Sequence, residues 1–223
     1  RGANIFTDNK TRGISGSHHQ KTAAVRTPDG LVSFVGGIDL TRDRWDTRDH
    51  CHPDPDADYA GQGQPWHDVH AQIRGPAAAD IETNFRHRWN DSNRFPGMRP
   101  SPAVPTHPAP TARVGPHIVQ TLRTFPCHAT AGGAPWRYDF APRGETGLRQ
   151  AYLKAIGNAK EYIYIEDQYM VGDDISTAIE AAMRREPELQ VVLVTAPEPD
   201  APGIPVVGQA LVNAFDFHQN EFV

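Results

Sequence analysis

Residues 17–25, Ser17-His18-His19-Gln20-Lys21-Thr22-Ala23-Ala24-Val25, place an imidazole and an ammonium two positions apart at the head of a short apolar run. Read as a strand, the run alternates its side chains across a sheet, so His19 and Lys21 point the same way, toward one small anionic group. A neutral imidazole can attack phosphorus or carry a proton, and an ammonium can hold the negative oxygens meanwhile. Residues 33–40, Ser33-Phe34-Val35-Gly36-Gly37-Ile38-Asp39-Leu40, read as a second strand ending in a Gly-Gly turn, with Asp39 two residues beyond. A backbone without Cβ atoms lets a ligand approach closely there. Thr27-Pro28-Asp29-Gly30 lies between the runs, so His19–Val25 and Leu31–Val35 are expected to pair as antiparallel strands.

Further along, residues 41–63 are charged and irregular and include Arg42, Arg44 and Trp45. Trp66–Ile73 reads as a strand. Gly75-Pro76 then opens a helix over Ala77–Trp89, whose apolar positions 77, 78, 81, 85 and 89 recur at the helical period. The helix is expected to end by Asn90. Residues 95–116 are dense in proline and read as a linker or long surface loop, which places a boundary between 1–94 and 117–223. Beyond it, His117–Leu122 reads as a strand, Thr146–Lys160 as an amphipathic helix, Tyr162–Ile165 as a strand, Ile175–Arg185 as a helix, Leu189–Thr195 as a strand and Val206–Phe217 as a helix. Strands that alternate with helices and are nearly continuously apolar indicate an α/β fold, a parallel or mixed sheet with helices on both faces.

The 223 residues carry a net charge of −5, which argues against a protein that coats nucleic acid. No run reaches the roughly 18 to 20 apolar residues of a membrane span. Cys51 and Cys127 are too few for a disulfide framework. The chain begins at Arg1 without an initiator Met, so it is expected to be a processed form or a piece of a longer protein.

The two opening stretches resemble the signature of the phospholipase D superfamily, His-x-Lys-x4-Asp followed by a Gly-rich turn. Phe34–Asp46 and Pro65–Trp89 resemble the segments that follow the first motif in plant, animal and bacterial phospholipases D. Ile163–Met170 resembles the stretch before the second, with Asp167 where the family usually has Asn. The resemblance implies an α/β fold of two similar halves, of which residues 1–94 and 117–223 are incomplete parts. It also implies a metal-independent covalent mechanism in which His19 attacks phosphorus, Lys21 stabilises charge on the equatorial oxygens, and a histidine of a second motif protonates the leaving alcohol. No cofactor is expected, although some members respond to calcium. The implied substrate is a glycerophospholipid such as phosphatidylcholine at a membrane surface, with no nucleic-acid partner.

Arg26 stands where the signature has its Asp, and no second His-x-Lys motif occurs before Val223. A guanidinium accepts no hydrogen bond, so Asp29 or another carboxylate substitutes, or the site is weakened, or Arg26 binds a lipid phosphate with two parallel hydrogen bonds. With half of the histidine pair missing, residues 1–223 alone are expected to have little activity. Asp39, Glu166 and Gln168 are the candidate substrate-binding residues, the last two because they close a strand at the sheet edge where open α/β sheets place ligands. His18 is expected to support His19. His50-Cys51-His52 and His67-Asp68-Val69-His70 lack the ligand spacing of a closed zinc site, and the resemblance makes Trp66-His67-Asp68 a rim segment beside the first motif. Two other functions fit the same residues: a dimeric superfamily nuclease, and a degenerate module that binds phosphate or lipid without turnover.

Overall fold

The structure is a computed structural model and describes residues 18–41, 44, 67–92, 104, 106–108, 110, 112, 115–131, 134–168 and 172–195. Val206–Phe217, Trp66, Arg42, Trp45 and His50-Cys51-His52 lie outside them. The fold class is α/β, and the chain divides into two compact units, residues 1–145 and 146–223. This division by packing is a separate matter from the expected boundary at residues 95–116, most of which lies outside the described residues.

In the first unit, β1 (Lys21–Thr27) pairs antiparallel with β2 (Gly30–Gly36), in register from Lys21 opposite Gly36 to Thr27 opposite Gly30. Only Pro28 and Asp29 remain for the turn, which Gly30 leaves at φ 117°, a conformation that disfavours a Cβ. β3 (His70–Arg74) pairs antiparallel with the other edge of β2, so the order is β1-β2-β3. Gly75, at φ 83°, turns the chain into α1 (Ala78–Ser92), two residues longer than its apolar spacing predicts.

One face of the sheet is covered by α1. Leu31, Ile73, Ala78 and Ile81 are buried there, with Ala24 and Val35 packed against them. Ser33 is wholly buried in the same layer, and its hydroxyl donates to the Ala78 carbonyl at 2.8 Å. Residues directly opposite across antiparallel strands share a face. The rows Lys21–Gly36–His70 and Ala23–Phe34–Gln72 therefore lie on the face away from α1.

The C-terminal end of α1 meets a second cluster. Phe125, Tyr138 and Ala141 are buried together, with Trp136 and Phe140 partly covered. Around it run the short strands β4 (Thr124–Phe125), β5 (Ala129–Ala131), β6 (Ala134–Trp136) and β7 (Glu145–Thr146), of which β5 and β6 pair antiparallel. Trp136 Nε1 donates to Asp91 at 3.0 Å, and His87 stacks on Phe140 with ring centroids 4.9 Å apart. Cys127 is an exposed free thiol. The strand expected at His117–Leu122 does not form. Ile118 is 93% exposed, because an apolar run without a neighbouring strand has nothing to complete its hydrogen bonds.

Arg123 clamps Glu145 with two bonds, at 2.9 and 2.5 Å, and approaches His87 Nδ1 at 3.2 Å. A guanidinium only donates, so this ring nitrogen must accept, which requires a deprotonated Nδ1. Burial, then the Arg123 and Arg86 charges, hold His87 below the ordinary histidine pKa; Glu145 offsets part of this. A depressed histidine pKa gives stability that is complete above the unfolded value of about 6.5 and is lost as pH falls through the folded value. The thermal midpoint of the protein is expected to fall between pH 7.5 and 5.5, and His87→Asn to flatten that dependence. An equal slope in the variant excludes His87 as its source.

In the second unit, α2 (Gly147–Asn158), β8 (Tyr162–Glu166), α3 (Asp173–Arg185) and β9 (Gln190–Val194) follow one another. The expected elements from Thr146 to Thr195 are all present, within two residues. β8 and β9 pair in parallel, Tyr162 opposite Gln190 through Glu166 opposite Val194, with α3 as the crossover that parallel strands need. Ile156, Ile163, Ile179, Ala182, Met183 and Leu189 form the core. Asp173 and Asp174 in the first turn of α3, and Arg184 and Arg185 in the last, oppose the helix dipole at both ends. Among the described residues no helix is long and apolar enough to cross a membrane.

Candidate functional site

Lys21 opens β1, and its side chain is only 9% exposed. The ammonium lies 3.2 Å from Asp39 Oδ1 and donates to the carbonyl oxygen of His19 at 3.1 Å. An ammonium carries three N–H groups, and among the described residues these two contacts use two of them. Asp39 Oδ2 is 3.8 Å from Arg44 Nε, which makes the carboxylate the hinge between two cations. His19, just ahead of β1, is exposed, and His18 beside it is half-buried. The structure thus joins Lys21 to Asp39 and leaves the His19 imidazole at the surface next to them.

The Gly-Gly turn works differently from the sequence expectation. A Cβ on Gly36 would lie 2.3 Å from the Val69 carbonyl oxygen and 2.6 Å from both Cα and Nδ1 of His70. A Cβ on Gly37 would meet the Asp68 carboxylate at 2.3 Å. The space above the glycines is therefore filled by residues 68–70, which Gly37 N–H holds through the Val69 carbonyl at 3.1 Å. His67 and Asp68, of the segment expected at the rim, precede β3, and His70 stands in one row with Gly36 and Lys21. Sequence reasoning did not place His70 beside Gly36. The alternation of His70-Ala71-Gln72-Ile73 was visible, but the register that sets it opposite Gly36 was not.

Arg26 does not face this cluster. It points to the α1 side, where Nε and Nη2 donate to the two carboxylate oxygens of Glu82 at 2.7 and 2.6 Å. That pairing replaces the suggested contact to a lipid phosphate. Asp29 cannot substitute for the signature Asp beside His19, because it sits in the turn at the far end of β1, roughly 20 Å along the strand. The Arg26–Glu82 pair spans β1 and α1 at the surface, so a double-mutant cycle is expected to give a coupling of about 1 kcal/mol. Restoring the signature by Arg26→Asp alone is expected to destabilise the protein, since it sets two carboxylates against each other. A chemical-denaturation series with Arg26→Asp, Glu82→Arg and the pair together tests this: a double variant no more stable than the two single losses combined removes the coupling.

Glu166 and Gln168 belong to the second unit. Glu166 closes β8, accepts the Tyr164 hydroxyl and so raises the Tyr164 pKa. With Asp167 it borders a cleft of about 480 Å³ lined by Tyr152, Ile156, Tyr164 and Ile175. Gln168 does not line the cleft, and its backbone carbonyl accepts from Thr195 Oγ1 at 3.3 Å. Among the described residues, no group of three or more His, Cys, Asp or Glu is placed to hold a metal ion.

A family model described as Phospholipase D matches residues 3–184. The chain belongs to the phospholipase D family. Similar proteins include phospholipase D alpha 2 of Oryza sativa subsp. japonica, 30% identical over 204 aligned positions covering 72% of this chain. Phospholipase D alpha 2 of Arabidopsis thaliana is 32% identical over 202 positions and 72% of the chain. Phospholipase D alpha 1 of Cynara cardunculus is 30% identical over 244 positions and 87% of the chain. These matches span 25%, 25% and 30% of the relatives themselves, so the chain corresponds to between a quarter and a third of a plant phospholipase D. Within the family match, His19 lies just ahead of β1, which Lys21 opens and in which Arg26 stands.

Proposed function

We propose that this chain supplies one half of a phospholipase D-type phosphodiesterase site that acts on glycerophospholipids such as phosphatidylcholine, releasing phosphatidic acid and the headgroup alcohol. The observation that carries the reading is the shielded Lys21 ammonium, oriented by Asp39 beside the exposed His19. Its remaining N–H is an electrostatic clamp for phosphoryl oxygens, and shielding from water strengthens it. The His19 imidazole attacks phosphorus, a phosphohistidine forms, and the alcohol oxygen leaves with a proton from an acid on the far side. Water, or a second alcohol, then attacks phosphorus and frees His19. The acid is the histidine of a second His-x-Lys motif.

Leu40 and Val69, next to Asp39 and His70, are 87% and 71% exposed. Apolar side chains flanking an anion site suit a lipid, whose phosphate and acyl region must be met together, and a peripheral position on a membrane. The net charge of −5 disfavours the nuclease alternative. The Arg26–Glu82 pair weakens the degenerate-module alternative, because the reversed charge is matched on the α1 face. Release of choline from phosphatidylcholine vesicles by the full-length gene product tests the reading. Vesicle binding without release favours the non-catalytic module, and cleavage of DNA in preference to lipid favours the nuclease.

A further inference from the structure

His70 Nδ1 is buried and has no hydrogen-bond partner among the described residues. Burying an imidazole nitrogen unpaired is costly, and native structures rarely retain such an atom without a use for it. Its position is specific. The nitrogen lies 2.6 Å from where a Gly36 Cβ would stand, so the ring leans over Gly36 on the face that also carries Lys21. Lys21, Gly36 and His70 form one row across three strands, with the two end residues about 10 Å apart at the backbone. The Lys21 ammonium and the His70 ring therefore belong to one face of the sheet, on either side of Gly36. Any Cβ at Gly36 would displace the ring.

We propose that His70 is a further phosphoryl-binding residue of this site, with its imidazole hydrogen-bonded to an oxygen of the same phosphoryl group that Lys21 holds. The proposal rests on the reading of Lys21 given above. Geometry sets its role: His70 binds and orients the phosphoryl group, while His19 is the group that attacks.

Equilibrium dialysis of the full-length gene product against radiolabelled inorganic phosphate tests it, with Lys21→Ala, His70→Gln and His70→Phe alongside. His70→Phe keeps the ring's bulk without its hydrogen bond and is expected to weaken phosphate binding about tenfold, the worth of one charge-assisted bond. His70→Gln retains an amide donor and is expected to recover part of that loss, which a purely structural role for the ring does not predict. If Lys21→Ala loses phosphate while both His70 variants bind it like the unaltered protein, His70 is not a ligand and the Lys21 reading stands. If Lys21→Ala also binds normally, or the unaltered protein binds no phosphate, the Lys21 reading falls and His70 falls with it.

Discussion

His19→Ala lowers phosphatidylcholine turnover by the full-length gene product roughly 10³-fold or more, while thermal stability stays within error of the unaltered protein. The two halves of that expectation have separate causes. His19 lies outside β1 and is exposed, so its removal leaves no cavity and no broken core contact. On the proposed mechanism the chemistry loses its nucleophile, and without a covalent intermediate water must attack the diester directly. Added imidazole is expected to restore part of the turnover of His19→Ala, since a small ring can enter the vacated position beside Lys21. Lys21→Ala is not rescued in this way. It removes the clamp and strands Asp39 next to Arg44, in a place where the side chain was 9% exposed. Unchanged turnover in His19→Ala would remove this residue from the mechanism outright.

Gly36→Ala is expected to cost about 3 kcal/mol, at the upper end for an overpacked site, and to lower the thermal midpoint by roughly 5 to 10 °C. The new methyl group meets the backbone of Val69 and His70, which cannot rotate away as a side-chain tip can. Relief requires β3 to part from β2 at the Gly36–His70 pair, where the candidate site is built. Gly37→Ala provides the contrast. The three atoms nearest its methyl group all belong to the Asp68 carboxylate, which can swing aside, so the cost is expected to be far smaller. Gly157→Ala, on an open stretch of α2, is expected to stabilise by about 0.5 to 1 kcal/mol through helix propensity alone. Thermal melts of the three variants check the order. Equal losses at Gly36 and Gly37 contradict the backbone clash.

Much of this fold can be read in the sequence. The β1–β2 hairpin follows from two apolar runs around Thr27-Pro28-Asp29-Gly30, and α1, α2 and α3 follow from apolar spacing at the helical period. The αβ alternation from Thr146 to Thr195 needs no more than local pattern, because each element buries its own stripe. His19 and Lys21 stand out by their spacing of two, although β1 begins at Lys21 and His19 lies just ahead of it. The run at His117–Leu122 shows where this ends. Its composition suits a strand, but a strand exists only when a neighbour supplies hydrogen bonds.

Tertiary structure alone decided the rest. Glu82 lies 56 positions from Arg26, and His70 stands opposite Gly36 only because β3 pairs with β2 in one register. Neither distance nor register leaves a mark in local sequence, since both are set by how α1 and β3 close on the hairpin. The sequence determined which groups are candidates for phosphoryl chemistry and that they stand two positions apart, although the strand begins only at Lys21. Packing decided which charge answers Arg26, what fills the space over the glycines, and that the ammonium of Lys21 is shielded and held by Asp39. Those outcomes depend on contacts between residues far apart in the chain, and only the closed structure brings them within reach of one another.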